Sequence, residues 1–263
     1  SSYGGDSASA ANSLTSGVTQ INSTDRAFAA VKTDGSVVTW GNSSYGGDSA
    51  SVASSLTSGI TQIYSSQRAF AAVKTDGSVV TWGDMYHGGD SYSVSNSLTS
   101  GVTQIYSNKK AFAALKTDGS VVTWGTHNSG GDSSSVASSL TSGVTQIYSN
   151  KEAFAALKTD GSVVTWGDMY HGGDSYSVAS SLTSGVTQIY SNKEAFAALK
   201  TDGSVVTWGK NSFGGDSSSV ASSLTSGVTQ IFSTLEGAFS ALKSDGSVVT
   251  WGDSNNGGNS DSV

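Results

Sequence analysis

Short apolar runs separated by polar turns recur along the chain, and the pattern repeats every 42 residues. In the copy from 143 to 184, residues 144–148 read VTQIY, residues 153–158 read AFAALK and residues 163–166 read VVTW. Each run is short, apolar or alternating, and rich in β-branched and aromatic residues, which is typical of β-strands. The pattern therefore predicts three strands in each copy, which we call strands A, B and C.

Polar segments between these runs predict the turns of each copy. A short polar connection at 149–152 joins strands A and B, and an Asp-Gly pair at 160–161 joins strands B and C. Asp-Gly between two apolar runs predicts a hairpin with a type I′ turn, because both central residues of that turn need positive φ. A glycine-flanked loop at 167–174 follows strand C, and the serine-rich segment 175–182 is predicted to form a short outer strand D.

Six tryptophans mark six copies of this pattern: Trp40, Trp82, Trp124, Trp166, Trp208 and Trp251. A fixed period of this length is typical of repeat architectures, in which each unit becomes stable by stacking on its neighbours. Three to four short antiparallel strands per 42-residue blade, with no helical periodicity, predict an all-β fold, a six-bladed β-propeller. A β-solenoid is the alternative. We expect the tryptophans to pack between neighbouring blades.

The hairpin motif ALKTDGSVVTWG at 156–167, followed by Gly-Gly-Asp at 172–174, resembles the repeat of the regulator of chromosome condensation family. That repeat reads A-L-x-x-D-G-x-V-x-x-W-G, and a bacterial β-propeller that inhibits β-lactamase has similar repeats. The resemblance covers essentially the whole chain and implies a propeller. However, Ala153 stands where the family often has histidine, and both relatives are similar to seven-bladed propellers. We therefore carry over neither nucleotide exchange nor β-lactamase inhibition.

The two ends of the chain fall in the same part of the repeat. The apolar phrase occurs six times, whereas the Gly-Gly loop occurs seven times, from Gly4 to Gly257. We therefore predict a single β-propeller domain over residues 1–263, in which an N-terminal strand at 7–14 closes the last blade. The tail at 254–263 then competes for the same position in that blade or frays.

Two stretches differ between copies while the rest of the repeat barely changes: the A–B connection and the loop after strand C. In an antiparallel blade these two connections lie on the same face, and loops on a rigid scaffold usually carry function. The alternative explanation is that the sequences of these loops differ between copies because nothing constrains them. The candidate ligand-binding residues in these loops are Arg26, Tyr45, Arg68, Met85, Tyr86, His87, Lys110, His127, Lys151, Met169, Tyr170, His171, Lys193, Lys210 and Phe213.

Composition and charge narrow the possible partners. The formal net charge is −7, and no basic run exceeds the two residues Lys109 and Lys110, which argues against a nucleic-acid partner. No apolar run is long enough to cross a membrane, and the chain has no cysteine for disulfides or thiolate metal sites. The acidic composition, rich in Ser, Thr and Gly, favours an extracellular or cell-surface bacterial protein, and we expect a monomer.

Few positions point to catalysis or metal binding. The aspartates of the Gly-Gly-Asp loops are candidates for Ca²⁺, but their spacing matches neither an EF-hand nor a nonapeptide calcium repeat, so we favour a structural role in Asx-turns. His87 and His171 share one place in the repeat, without cysteines or paired carboxylates to complete a zinc site. No Ser-His-Asp constellation emerges. We predict a protein that is not an enzyme and has no catalytic residue, metal or cofactor.

Three functions are consistent with this sequence. The first is a β-propeller that serves as a binding, adhesion or interaction scaffold and takes its ligand through the variable loops. The second is a lectin-like carbohydrate binder, in which the identical segments 84–87 and 168–171 form a matched pair of sites. The third is a repeat scaffold without a ligand, engineered or recently amplified, because several copies are nearly identical.

Overall fold

The structure is a computed structural model that describes residues 5–259, with the side chain of Ser9 excepted. The chain divides into two compact units, Ser1–Asp132 and Ser133–Val263. Each unit contains three consecutive copies of one arrangement: a seven-residue 3-10 helix that we call the outer helix, three strands, and a three-residue 3-10 helix that we call the loop helix. Every group of three strands forms one antiparallel sheet in the order A-B-C.

The first unit contains nine of these strands. They are β1 (Val18–Ser23), β2 (Ala27–Lys32), β3 (Val37–Gly41), β4 (Ile60–Ser65), β5 (Ala69–Lys74), β6 (Val79–Gly83), β7 (Val102–Ser107), β8 (Ala111–Lys116) and β9 (Val121–Gly125). The outer helices of this unit are Ala8–Leu14, Ala50–Leu56 and Tyr92–Leu98. Its loop helices are Ser43–Tyr45, Met85–His87 and His127–Ser129.

The second unit repeats the arrangement. Its strands are β10 (Val144–Ser149), β11 (Ala153–Lys158), β12 (Val163–Gly167), β13 (Val186–Ser191), β14 (Ala195–Lys200), β15 (Val205–Gly209), β16 (Val228–Ser233), β17 (Ala238–Lys243) and β18 (Val248–Gly252). Its outer helices are Ser134–Leu140, Tyr176–Leu182 and Ser218–Leu224. Its loop helices are Met169–His171, Asn211–Phe213 and Ser254–Asn256.

These six sheets confirm the prediction of an all-β fold, a six-bladed β-propeller, and they fix the number of strands per blade at three. In the fourth blade, the predicted strand B coincides with β11. Strands β10 and β12 each extend one residue beyond the predicted strands A and C. Short runs that are apolar or alternating were therefore sufficient to predict all three strands.

The prediction of an outer strand D is wrong, because Tyr176–Leu182 forms an outer helix. Asp174 Oδ1 accepts a hydrogen bond from the Tyr176 N–H at 2.8 Å, which starts a helical turn. Val178 is the only β-branched residue of the segment, so little in its sequence favours an extended chain. The helix packs against β15, which is strand C of the blade that follows it in the sequence.

The B–C turn also differs from the predicted type I′ turn. In the first blade, the Gly35 N–H donates to Lys32 O and the Lys32 N–H donates to Ser36 O, both at 2.9 Å. No described residue except glycine has a positive φ, and φ of Gly35 is 74°. The connection is therefore a three-residue loop, a type I turn followed by a left-handed glycine. Asp34 Oδ1 accepts bonds from the Ser36 N–H and hydroxyl at 2.9 and 2.7 Å, which stabilises this turn.

The segment predicted as an N-terminal strand at 7–14 is a helix instead. Ala8–Leu14 is an outer helix that packs against β3 of the first blade, and β18 of the last blade packs against its own outer helix, Ser218–Leu224. Each blade therefore takes its described elements from one continuous stretch of sequence. Gly4 and residues 260–263 of the tail lie outside the described residues, and a single domain for the whole chain stays a prediction.

The apolar core of each unit lies between successive blades. Ala29 and Val31 of the first blade belong to the same buried cluster as Ile63, Phe70 and Trp82 of the second blade. The rings of Phe70 and Trp82 stack with their centroids 5.2 Å apart. Equivalent clusters join the second blade to the third, and the successive blades of the second unit. Phe70 and Trp82 are cross-strand neighbours on β5 and β6, so their stacked rings together present a large apolar surface to the preceding blade.

The Gly-Gly loops allow the blades to approach closely. The Trp82 indole N–H donates to Gly46 O of the preceding blade at 3.0 Å. The same bond joins Trp124 to Gly88, Trp208 to Gly172 and Trp251 to Gly214, each at 3.1 Å. Gly46 has φ 88°, and a Cβ at this position would lie 2.6 Å from the Phe70 ring. The predicted packing of the tryptophans between blades is confirmed for these four residues.

Candidate functional site

In every blade the A–B connection and the loop helix are held together by one hydrogen bond. The donor is the first side chain of the A–B connection, and the acceptor is the last carbonyl oxygen of the loop helix. The pairs are Thr24 with Tyr45, Ser66 with His87, Asn108 with Ser129, Asn150 with His171, Asn192 with Phe213 and Thr234 with Asn256, at 2.5–3.3 Å. Both variable loops of a blade therefore lie at the same end of its sheet, as the order of strands predicts.

Asn192 shows how much this position contributes to the loop structure. Its Nδ2 donates to Phe213 O at 2.7 Å, and its Oδ1 accepts from the N–H groups of Glu194 and Ala195 at 3.0 and 2.9 Å. The residue is only 5% exposed, so these bonds replace water at a buried amide. Ser66 makes equivalent bonds through its hydroxyl in the second blade.

Main-chain hydrogen bonds join neighbouring A–B connections within each unit. In the first unit, the Asp25 N–H donates to Gln67 O at 3.1 Å, and the Gln67 N–H donates to Lys109 O at 3.0 Å. In the second unit, equivalent bonds of 3.1 Å run from Lys151 to Lys193 and from Lys193 to Leu235. Because these bonds use no side-chain atoms, they fix the positions of the loops while the side chains vary.

The third residue of the A–B connection changes its charge between the two units, and we call it the third-position residue. It is Arg26, Arg68 and Lys110 in the first unit, and Glu152, Glu194 and Glu236 in the second unit. We use the term loop surface for the A–B connections and loop helices of one unit. The two loop surfaces therefore share one backbone design and differ in the sign of charge at this position.

Two arginines of the first unit flank one aromatic ring. The guanidinium carbons of Arg26 and Arg68 lie 5.1 and 4.9 Å from the centroid of the Tyr45 ring. This geometry is typical of cation–π contacts. Arg68 Nε is buried and has no hydrogen-bond partner in the described part of the chain. The loop surface of the first unit thus holds positive charge, and Arg68 Nε is the atom of it that has no acceptor among residues 5–259.

In the second unit, the equivalent of Arg68 is Glu194, whose side chain is 8% exposed and is surrounded by bases. Lys210 Nζ donates a hydrogen bond to Glu194 Oε2, and Lys151 Nζ and His171 Nε2 each lie 3.8 Å from Glu194 Oε1. Burial raises the pKa of the Glu194 carboxyl, but the hydrogen bond from Lys210 and the charges of Lys210, His171 and Lys151 outweigh this effect. The pKa of Glu194 is therefore below its ordinary value.

A shallow cleft of about 510 Å³ opens beside this cluster. It is lined by Met169, Tyr170, His171, Gly209, Lys210 and Asn211. Tyr170 is 70% exposed, and Lys210 Nζ also lies 4.7 Å from the centroid of the Phe213 ring. The cleft thus combines exposed aromatic and apolar groups with one lysine that already pairs with Glu194.

The segment Met85–His87 repeats Met169–His171, but its surroundings differ. His87 Nδ1 lies 2.9 Å from Asp84 Oδ1, as His171 Nδ1 lies 2.7 Å from Asp168 Oδ1. In the neighbouring blade, Lys110 replaces Glu194 and Thr126 replaces Lys210. Thr126 Oγ1 donates a hydrogen bond to Tyr86 O. Two identical loop helices therefore face different partners, which provides a matched comparison within one chain.

Two further candidate residues contact carboxylates. His127 Nε2 lies 2.8 Å from Asp132 Oδ2, and Lys193 Nζ donates to Glu236 Oε2 at 2.9 Å. The hydrogen bond and charge of Glu236 raise the pKa of Lys193. Both pairs lie near the surface, where solvent weakens them. They shape the loops without forming a pocket of their own.

Sequence reasoning missed three residues that the structure makes prominent. Glu194 lies in a variable A–B connection, but the candidate residues predicted in these connections are lysines and arginines, which carry the opposite charge. Tyr92 and Tyr176, at the first position of two outer helices, are 86% and 88% exposed. The signal that marks these tyrosines is their replacement by small residues at the same place in the other copies, for example Ser134.

The aspartates of the Gly-Gly-Asp loops have the predicted structural role. Asp48 Oδ1 accepts from the Ala50 N–H at 2.9 Å, and Asp90, Asp174 and Asp216 make the same Asx contact at the start of their outer helices. Within residues 5–259, no group of three or more His, Cys, Asp or Glu side chains is arranged to hold a metal ion. None of the helices described here is long and apolar enough to cross a membrane.

Comparison with known proteins shows similarity in fold alone. No protein-family model and no curated protein matches this chain. The solved structure of human WBSCR16 is 20% identical over 74% of this chain and 62% of its own, with a TM-score of 0.47. Prp20p from Saccharomyces cerevisiae is 14% identical over 89% and 72%, with a TM-score of 0.47. The computationally designed Ika8 protein is 16% identical over 89% and 70%, with a TM-score of 0.38.

The chain thus spans less than two thirds of the human protein. The hairpin motif resembles the repeat of the regulator of chromosome condensation family, and each described blade is a three-stranded antiparallel sheet.

Proposed function

We propose that this chain is a non-enzymatic β-propeller scaffold that binds a protein partner through its loop surfaces. The hydrogen bond that holds both variable loops at one end of every blade supports this proposal most directly. The scaffold fixes the main chain of the loops, while their side chains differ from blade to blade. A surface built in this way suits an asymmetric partner, because each blade contributes different chemistry at an equivalent position.

The charges of the first loop surface favour a partner that carries carboxylate groups. Its third-position residues are all basic, and the buried Arg68 Nε lacks an acceptor in the described residues. Arginine donates two parallel hydrogen bonds to a carboxylate, and such bonds are stronger than those between neutral groups. We expect carboxylates of such a partner to contact the guanidinium groups of Arg26 and Arg68 beside the Tyr45 ring.

Proteins of similar fold bind other proteins. The Prp20p structure was reported together with its binding to Gsp1p and histones, and yeast Prp20 was also seen bound to Kap60. At 14% identity this likeness transfers no partner, so the loop chemistry of this chain has to define its own. The composition of the chain is acidic and Cys-free. On this basis we propose that the chain meets its partner outside the cell or at the surface of a bacterium.

A matched pair of triple variants tests the proposal. Arg26→Ser, Arg68→Ser and Lys110→Ser remove three charges from the loop surface, whereas Lys32→Ser, Lys74→Ser and Lys116→Ser remove the same charge from the opposite end of strand B. Binding is measured with immobilised chain and a library of displayed peptides, half of them rich in Asp and Glu. We expect acidic peptides to bind the wild type and the second variant, and not the first. Equal binding by both variants, or no enrichment of acidic peptides, contradicts the proposal.

Carbohydrate binding is a second candidate, because the exposed side chains of two matched regions are aromatic. Tyr86 and Tyr170 are each 70% exposed, and Tyr92 and Tyr176 follow them on the next outer helices. An exposed ring with nearby carboxylates suits stacking against a sugar. A glycan array tests this, with Tyr86→Ala and Tyr170→Ala as matched variants. If each variant halves glycan binding, two equivalent sites are supported. If the chain binds neither a glycan on the array nor a peptide, a scaffold without a ligand is favoured.

A further inference from the structure

The first blade exposes an apolar face that the other blades of its unit bury. Ile21 is 58% exposed, whereas its equivalents Ile63 and Ile105 are 1% and 2% exposed. Phe28 and Trp40 are half-buried, while the corresponding rings of the next two blades are nearly inaccessible. We call this surface the leading face, and it consists of Leu14, Val18, Ile21, Phe28 and Trp40. Five apolar side chains in one patch are more than isolated surface hydrophobes.

The leading face also contains a hydrogen-bond donor, the indole N–H of Trp40. The Trp40 indole N–H has no hydrogen-bond partner in the described part of the chain. Its equivalent Trp82 donates to Gly46 O of the preceding blade at 3.0 Å. The side chain of Trp40 is thus built for a neighbouring glycine loop, and the leading face has the polar as well as the apolar features of an interface between blades.

The last blade exposes the complementary surface. Val248 and Phe232 are 56% and 50% exposed, whereas their equivalents Val205 and Tyr190 pack against the next blade. A Cβ at Gly257 would meet no atom within 4 Å, whereas a Cβ at Gly214 would lie 2.7 Å from the Phe239 ring. We call this surface the trailing face, and it consists of Phe232, Leu242, Val248 and Gly257.

We propose that the leading face of one molecule binds the trailing face of a second copy of this chain, head to tail. The occupant follows from contacts that already exist inside the second unit. There, Leu199 of one blade belongs to the same buried cluster as Ile231, Phe239 and Trp251 of the next. The partly buried Tyr190 and Val205 pack against this cluster. The two end faces carry the same kinds of side chain in the same positions, so their contact continues an interface that each unit repeats internally.

The proposed contact also supplies an acceptor for the Trp40 indole N–H, which has none among residues 5–259. In the second copy, Gly257 occupies the place of Gly46, so its carbonyl oxygen accepts the Trp40 indole N–H. The interface is heterologous, because each contact uses one leading face and one trailing face. A molecule with one altered face therefore keeps one competent face, and this property makes the proposal testable by mixing two variants. The proposal differs from the monomer expected from the sequence.

The test uses Ile21→Lys, which blocks the leading face, and Val248→Lys, which blocks the trailing face. Both residues are more than half exposed, so both variants are expected to fold, which circular dichroism checks. Masses are measured by sedimentation velocity over a hundredfold range of concentration. We expect the wild type to form dimers or larger assemblies, each variant alone to stay monomeric, and the mixture to form a one-to-one dimer. Tyr92→Lys, which alters an exposed residue outside both faces, should assemble like the wild type.

Each other outcome overturns the proposal. A wild type that is monomeric at every concentration excludes the contact, and hydrogen exchange then shows whether the two faces are covered within one molecule. Assembly of either variant alone, at the mass of the wild type, shows that a different surface is used. A mixture that stays monomeric shows that the leading and trailing faces do not bind each other.

Discussion

The loop surfaces around Tyr45 and His171 have the same backbone and opposite chemistry. In the first, Arg26 and Arg68 flank an aromatic ring, and one arginine nitrogen lacks an acceptor in the described residues. In the second, Glu194 occupies the place of Arg68 and is neutralised by bases from its own unit. The difference shows that the charge of a side chain can change sign between copies while the main-chain hydrogen bonds of the loop stay the same. The first surface is basic at all three third-position residues, whereas the second holds a carboxylate that pairs with bases of its own unit.

The largest effect is expected from removing the scaffold that both surfaces share. Trp82→Ala deletes a 2% exposed ring and its bond to Gly46, so it should lower the free energy of unfolding by about 3–5 kcal/mol. Trp40→Ala is the matched control, because Trp40 is half-buried and has no such bond among the described residues. Urea denaturation at low protein concentration measures both, and equal losses would mean that contact with the preceding blade contributes little.

The next effect tests the bond between the two loops beneath the second surface. Asn192→Ala leaves the Phe213 carbonyl and two N–H groups without their partner, at a cost of about 2–3 kcal/mol. Asn192→Ser should cost less than about 1 kcal/mol, since Ser66 makes the equivalent bonds in the second blade. Thermal denaturation compares the two variants. If serine is as harmful as alanine, the loops are held by something other than this bond.

A smaller effect is expected from the charge that distinguishes the second surface. Glu194→Gln leaves three bases around a buried neutral amide and should cost about 2 kcal/mol at pH 7. Glu236→Gln is the control, because its ion pair with Lys193 is exposed and should matter less. Chemical denaturation of both variants decides whether burial, and not charge alone, sets the size of the effect.

The pH dependence of this difference follows from the lowered pKa of Glu194. The unfolded chain has the ordinary value of 4.5 and the folded chain a lower one, so the carboxylate stabilises the fold fully above pH 4.5. This contribution falls as the pH drops from 4.5 through the folded pKa, where the folded and unfolded carboxyls both become protonated. The advantage of the wild type over Glu194→Gln should therefore shrink below pH 4.5, and an advantage that is constant down to pH 2 would contradict the assignment.

The smallest effect concerns the ring between the two arginines. Tyr45→Leu removes both cation–π contacts and should lower stability by less than about 1 kcal/mol, since such contacts are weak near the surface. It should nevertheless weaken binding of acidic peptides, because Arg26 and Arg68 lose the surface that orients them. Tyr86→Leu, in the matched loop helix without arginines, serves as the control in the same peptide titration.

The strands could be predicted because their signal is local. Alternating and β-branched runs mark β10, β11 and β12 within one residue of their observed ends. The outer helix at 176–182 could not be predicted in this way, because its start depends on one side-chain oxygen of Asp174 and its serines have weak preferences. The B–C turn was mistyped because Asp-Gly also fits a three-residue loop with a single left-handed glycine.

The candidate site was predictable in position but not in its contacts. Variation between copies located both loops, and the order of strands placed them at one end of the blade. The cluster around Glu194 joins three residues that lie 16 to 43 positions away in the sequence. The repeat pattern of the sequence does not predict which charged side chains of neighbouring blades contact each other. The exposed faces of the first and last blades could not be predicted either. At most positions their residues are identical to those of the copies that are buried.

The continuity of each blade in the sequence has a genetic consequence. One outer helix and three strands follow one another without interruption, so a duplicated or deleted 42-residue segment adds or removes one whole blade. Every remaining junction is still made of the same glycine loop and tryptophan. Unequal recombination between near-identical copies can thus change the length of the protein in whole steps, and each new copy brings its own pair of loops on which selection can act.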